Sequence, residues 1–189
     1  MEKRWVIKDA DEDKVNSLQQ DLKVHPVVCK LLVQRGIYTY EAARKFFRPV
    51  LTDLYDPFLM RDMQKAIDRI NTAIANNERI LIYGDYDVDG TTSVALAYSF
   101  FYSIYKNIDY YIPDRYLEGY GISTKGIDHA KQTECSLVIA LDCGIKAVDK
   151  IAYANTLGVD FIICDHHIPG DEVPAAFAVL DPHQKDCNY

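Results

Sequence analysis

The 189-residue sequence has no C-x-x-C pair among its five cysteines, Cys29, Cys135, Cys143, Cys164 and Cys187. That argues against a zinc knuckle, and the thiols read as free and buried, with Cys143 and Cys164 in or beside apolar, strand-like runs. No apolar run approaches the roughly 18–20 residues needed to span a bilayer. The first residues, MEKRWVIKDADEDK, contain no apolar h-region of the kind a secretory leader needs, which leaves the cytoplasm as the expected compartment. Neither G-x-G-x-x-G nor G-x-x-x-x-G-K-[ST] occurs, so a nucleotide cofactor has no support. Internal repeats, low-complexity tracts and Gly/Ser linkers are missing as well. Positive charge is also short: Lys and Arg total 21 against 28 Asp and Glu, a net charge of −7. A nucleic-acid surface is usually basic, so this balance runs against one. Two considerations weaken the objection. A metal site gathers carboxylates whose charge the cations offset, and a basic surface can lie on another part of a parent protein.

What is present is an ordinary globular balance, 49% hydrophobic and 26% charged, in a length that suits one α/β domain with a small appendage. Residues 1–60 read as that appendage, and it is helical. A short polar helix is expected over 11–21. Val27, Val28, Leu31 and Leu32 fit helical spacing, with Gly36 as the stop. Thr39 caps a further helix that Pro49 ends, though Ala42 stands where a full capping box would place Glu or Gln.

From residue 61 the pattern alternates. Met63, Ala66, Ile67, Ile70 and Ile74 share one helix face. Strands are expected at 80–84, 108–112, 137–141, 161–164 and 177–180. Helices are expected at about 91–105, 123–132 (with Ser123 as N-cap) and 146–155, and Asp85–Gly90 as a polar loop. Repeated strand–helix–strand units predict an α/β fold, a parallel sheet with helices on both faces.

Ligand sites in such sheets form outside the carboxyl ends of the strands. There the sequence places Asp85-Tyr86-Asp87-Val88-Asp89-Gly90 after the first strand, Asp142-Cys143-Gly144 after the third, Asp165-His166-His167 after the fourth and Asp181-Pro182-His183 after the fifth. Crowded carboxylates repel one another unless cations intervene. Oxygen and imidazole donors without a thiolate motif suit manganese or magnesium better than zinc. Two such ions about 3.5–4 Å apart can clamp the attacking and leaving oxygens of a phosphoryl transfer, so phosphodiester or phosphoanhydride hydrolysis is the chemistry expected. The acidic run also matches the start of a calcium-binding EF-hand loop. That loop needs Glu at its twelfth position, where this sequence has Leu96, and a helix where this sequence has a strand, so calcium sensing is rejected.

Gly84-Asp85-Tyr86-Asp87-Val88-Asp89-Gly90-Thr91-Thr92 resembles the first motif of RecJ-type exonucleases, a branch of the DHH phosphoesterases. Asp142 in Leu-Asp-Cys-Gly resembles the second motif, and Asp165-His166-His167 the signature that names the family. Pro113-x-Arg115-x-x-x-Gly119-Tyr120-Gly121 resembles a segment of the RecJ branch, and the resemblance runs from about residue 25 to the end. It implies two divalent cations, manganese with magnesium as the alternative. Their ligands would be Asp87, Asp89, Asp142 and His166, with Asp85 either a ligand or a supporting group. His167 would contact the scissile phosphate or help stabilise the transition state, and Asp165 would orient a histidine. Arg115 would bind a backbone phosphate, with a surface ion pair as its competing role, and Tyr120 and Gly121 would meet the substrate. The implied activity is hydrolysis of single-stranded DNA from its 5′ end in DNA repair and recombination, with repair or replication proteins as candidate partners and no membrane.

The family's further metal-binding Asp, downstream of the DHH motif, has no match here, nor has its second domain. The chain is therefore expected to be the front part of such an enzyme, binding metal weakly and nearly inactive alone. A small-substrate relative acting on cyclic dinucleotides or short oligoribonucleotides, a non-catalytic nucleic-acid-binding scaffold, and a nucleotide-sensing regulator are the alternatives. His25 and His129 read as structural or solvent-facing, and His183 is left open. Of the fourteen tyrosines, only Tyr120 is assigned to the cleft.

Overall fold

A computed structural model describes Arg4 and residues 6–189. Residues 1–3 and 5, part of the stretch read above for a leader, lie outside the described residues. The chain divides into two compact units, Met1–Tyr55 and Asp56–Tyr189.

The first unit carries three helices, α1 (Glu12–Leu22), α2 (Pro26–Gln34) and α3 (Tyr40–Phe47). Each is started by a side chain that satisfies an otherwise unpaired backbone N–H. Asp11 accepts from Lys14, His25 from Val27 and Thr39 from Ala42. Val15, Leu18, Cys29, Leu32 and Ala43 form its small core.

The second unit runs α4 (Met63–Ala75), β1 (Arg79–Gly84), α5 (Val88–Ile104), β2 (Ile108–Tyr111), α6 (Thr124–Gln132), β3 (Cys135–Leu141), α7 (Val148–Thr156), β4 (Asp160–Cys164) and β5 (Ala178–Leu180). The five strands form one sheet in the order β2-β1-β3-β4-β5, and every pair is parallel. A parallel sheet must be covered on both faces, which is why its strands are apolar throughout rather than alternating. Leu81, Tyr83, Val138, Ala140, Phe161 and Ile163 pack with Ile127 and Ala130 of α6 and Ile151 and Ala154 of α7. Ile80, Ile82, Leu137, Ile139 and Ile162 pack in the other layer with Ala66 and Ala73 of α4 and Val94 of α5.

Two helix starts differ from the sequence reading. Helix α5 begins at Val88 rather than 91, because Asp87 stays extended and accepts the Gly90 N–H at 2.9 Å. Asp89 and Gly90 are therefore helical. A Cβ on Gly90 would lie 2.4 Å from the Asp85 carbonyl oxygen, so only glycine lets the helix press against the backbone leaving β1. Helix α7 begins at Val148 rather than 146. The Ile145 N–H is drawn to the Asp165 carboxylate and the Ala147 N–H closes a turn on Gly144, which holds Lys146 outside the helix.

The sheet order has one reversal. From β1 the chain moves outward to β2, then crosses back to β3 on the other side. The adjacent ends of β1 and β3 form a topological switch point, where an open parallel sheet leaves a crevice.

Candidate metal centre

Asp142 leaves β3 at that crevice. Its N–H donates to the Cys164 carbonyl at 2.8 Å, carrying the β3–β4 ladder one residue beyond the strand. Its backbone is left-handed, with φ of 60°, which turns the carboxylate out of the strand direction. The Asp142 Oδ1 lies 2.9 Å from His166 Nε2, and one donor atom from each of Asp142, His166 and His167 falls within 4.8 Å of the others. Both histidines are exposed, whereas Asp142 is buried. Burial pushes the Asp142 carboxyl above its usual value; the His166 hydrogen bond offsets part of this and the Asp87 charge adds to it.

Asp165 plays a different part. Its Oδ1 accepts from the backbone N–H groups of His166 (2.7 Å) and His167 (3.1 Å) and lies 2.6 Å from His167 Nδ1. Its Oδ2 accepts from the Ile145 N–H at 2.9 Å. Burial pushes this carboxyl up, but the N–H donors outweigh burial and hold it below its usual value. Reciprocally, the Asp165 hydrogen bond raises the His167 imidazole. With Nδ1 so engaged, Nε2 is the nitrogen left to face outward.

The first acidic run splits into three roles. Asp85 is fully buried, and its two oxygens accept from the N–H groups of Tyr86 (2.6 Å) and Gly121 (2.9 Å), so it braces the 119–123 segment against the end of β1. Asp87 caps α5 and lies close enough for its charge to act on Asp142. Asp89 is exposed in the first turn of α5, outside the three-residue cluster. At the end of β5, Asp181 is fully buried; its Oδ1 accepts from the His183 N–H while Oδ2 has no partner among the described residues, and burial drives its carboxyl upward.

Glu118, which the sequence reading passed over, organises the segment that carries Arg115, Tyr120 and Gly121. It accepts from the Tyr111 hydroxyl, the Ser123 hydroxyl and the Asp114 N–H. The Tyr83 hydroxyl fixes the far end, donating to the Gly121 carbonyl and accepting the Ser123 N–H. Exposed Tyr120 meets His167 edge-on at 6.5 Å and Tyr86 at 6.0 Å, and the Arg115 guanidinium lies 5.5 Å from the Tyr86 ring centre. Gly121 adopts φ of 84°, a conformation that favours glycine. Beside His167 opens a cavity of about 430 Å³, with Lys146 and Lys150 on its wall. A basic pair four residues apart after a strand was the signal for these lysines.

The donor set fits a divalent cation. It offers carboxylate oxygen and imidazole nitrogen, while the neighbouring Cys143 thiol is pushed well above its ordinary value by burial and the surrounding carboxylates, which keeps it protonated. The upward push on Asp142 is the strain that a bound cation relieves.

Comparison with known proteins matches residues 79–188 to the family described as "DHH family, N-terminal domain". Among curated proteins, the chain is 45% identical over 186 residues to the single-stranded-DNA-specific exonuclease RecJ of Bacillus subtilis (strain 168), covering 98% of the chain and 24% of that protein. It is 31% identical over 191 residues to the protein of the same name from Escherichia coli (strain K12), covering 100% of the chain and 32% of that protein. The chain thus spans about a quarter to a third of the length of these relatives. Among solved structures, an exonuclease RecJ bound to manganese superposes with a TM-score of 0.63 at 26% identity, over 70% of the chain and 34% of that protein. The RecJ of Thermus thermophilus in complex with Mn2+ shares the fold, with a TM-score of 0.67 at 22% identity, over 95% of the chain and 25% of that protein.

Proposed function

The chain belongs to the DHH family, and from that premise we propose that it forms the metal-binding core of a RecJ-type exonuclease that hydrolyses single-stranded DNA from the 5′ end in repair and recombination. The observation that carries the reading is the Asp142–His166–His167 cluster, braced by Asp165 at the carboxyl edge of the sheet. Asp142 and His166 hold metal, with Asp87 and Asp89 completing the set; two manganese ions are the first choice and magnesium the second. Bound cations of this kind supply hydroxide near neutral pH and neutralise charge on the reacting phosphate.

The remaining roles fall to the chain itself. Asp165 keeps the His167 Nε2 facing the scissile phosphate, where a protonated ring donates to a phosphate oxygen. Asp85 acts as a brace, and each of its oxygens, accepting a single N–H, keeps a lone pair for a cation. Arg115 binds a backbone phosphate through its planar fork, and Tyr120 and Gly121 border the strand's path. Residues 61–189 are the phosphoesterase domain in this reading and residues 1–60 its helical appendage. Its setting is the cytoplasm; among the described residues no helix is long and apolar enough to cross a membrane.

Two measurements test the proposal. Calorimetry of the chain with manganese should show binding that Asp142→Ala abolishes. A chimera in which the chain replaces its matching quarter of the Bacillus subtilis relative should digest 5′-labelled single-stranded DNA, and Asp142→Ala should remove that activity by about a hundredfold or more. Manganese binding that survives Asp142→Ala, or a chimera that cleaves only cyclic dinucleotides or short oligoribonucleotides, would overturn it.

A further inference from the structure

Helix α5 carries one charged residue, Asp89, in its 17 positions. Its inner side is spent on the sheet: Gly90 and Val94 are buried, and Ala97, Tyr98 and Phe101 pack against the layer that holds Ile80 and Ile82. A helix on the surface of a domain turns a polar face outward. This one turns out large apolar side chains: Val88, Leu96, Phe100 and Ile104 are 78%, 73%, 60% and 63% exposed. They recur at multiples of four residues, so they form one slanting row along the helix. Beside the row runs a groove of about 490 Å³, lined by Ser93, Leu96, Ala97, Phe100, Phe101 and Leu141, every one uncharged. Ser93 and Ala97 are small enough to let another backbone approach. Leu141 ends β3, one residue before Asp142.

We propose that this row and groove seat an apolar helix contributed by the rest of a longer parent polypeptide. The chain covers 24% and 32% of two curated relatives, so proteins of this family carry several hundred further residues that can supply it. Contact area selects this occupant over a second copy of the chain. Four side chains and a shallow groove fall well short of the roughly 800 Å² per partner of a standard two-chain interface. A segment joined to the same polypeptide meets the row at high effective concentration and is spared the loss of free translation and rotation, so a smaller contact holds it. The uncharged lining sets the occupant's chemistry: aliphatic or aromatic side chains facing the row, since a Lys or Glu seated there would be desolvated without a partner. So placed, the helix touches both elements that lead into the acids of the candidate metal centre, α5 with Asp87 as its cap and β3 with Asp142 after it. The inference needs the family membership and not the activity proposed above.

The test is maleimide labelling of Leu96→Cys, read peptide by peptide by mass spectrometry so that the five native thiols do not interfere. In the 189-residue chain the introduced thiol should label as fast as free glutathione, and the chain should sediment as a monomer across a concentration series. In the chimera with the Bacillus subtilis relative, the same thiol should label about a hundredfold more slowly. The chimera decides if its circular dichroism shows it folded; if it does not fold, the aligned position of the relative itself decides, in a protein whose folding is not in question. Labelling there as fast as in the isolated chain overturns the proposal. So does a chain that dimerises and loses the dimer in Leu96→Lys, which would assign the row to a second copy.

Discussion

At the scale of single residues, the site is built from carboxylates that look alike in sequence and differ in use. Asp85 and Asp165 have all their oxygens occupied by N–H donors, whereas Asp142 faces an exposed imidazole. That Asp142 is buried beside the Asp87 charge has a measurable consequence. Its raised pKa means that the folded, metal-free protein is destabilised by ionising it. Asparagine tolerates the left-handed backbone and mimics the protonated acid. Asp142→Asn should therefore raise the metal-free melting temperature by about 2–4 °C, equivalent to ~1 kcal/mol, while abolishing the stabilisation by manganese. The gain should be present at neutral pH and vanish as pH falls below the carboxyl's usual range, where the native acid is itself neutral. A metal-free melting series from about pH 3 to 7 checks both sign and window. That acids and imidazoles leave successive strands was legible in the sequence, because strand ends can be read from apolar runs. Which acids also brace the loops was not, because their donors, Gly121 and Ile145, arrive from segments 36 residues later and 20 residues earlier.

At the scale of elements, the alternation of apolar runs and helical faces predicted the parallel sheet and its strand ends to within one or two residues. The misread helix starts have a local cause. Asp87-Val88-Asp89-Gly90 has the composition of a loop, and its helical state depends on Gly90 resting on the β1 backbone, a packing fact. The other end of the sheet is tied by a polar clasp that the sequence reading did not identify. Arg69 of α4 donates to Glu78 just before β1 and to Asp160 at the start of β4, both at 2.7 Å, and Phe177 lies beside its guanidinium. Burial pushes Glu78 up, but the Ser136 hydroxyl and Arg69 outweigh it and hold the carboxyl below its usual value. The sign follows: the stabilisation is present above the usual value, near 4.5, and is lost as pH falls through the lowered one. Arg69→Met should cost about 3 kcal/mol at pH 7, the lower end for breaking a buried pair because Asp160 is partly exposed, and less below pH 4. Urea unfolding at the two pH values measures the difference; an equal cost at both would show that the side chain acts through packing alone.

At the scale of the whole molecule, every residue assigned to metal or substrate lies in the second unit. That unit has its own sheet and two apolar layers, whereas the first rests on a small cluster of buried residues. Residues 56–189 alone should fold cooperatively and bind manganese within about twofold of the intact chain, as circular dichroism and calorimetry would read. An unfolded or metal-blind 56–189 would show that the site depends on residues 1–55.

The Asp-His-His run also carries a historical consequence. Its first letter accepts three backbone N–H bonds, from Ile145, His166 and His167, that tie together the loops after β3 and β4, while the two imidazoles are exposed and bond only to Asp142 and Asp165 among the described residues. An asparagine at 165 would set an amide NH2 against a backbone N–H whichever way it turned. A lineage without the chemistry proposed for this site could shed His166 and His167 and would still keep Asp165 for its backbone bonds. In descendants of this fold, the survival of that aspartate would testify to folding before it testified to chemistry, because three of its four bonds are to the backbone.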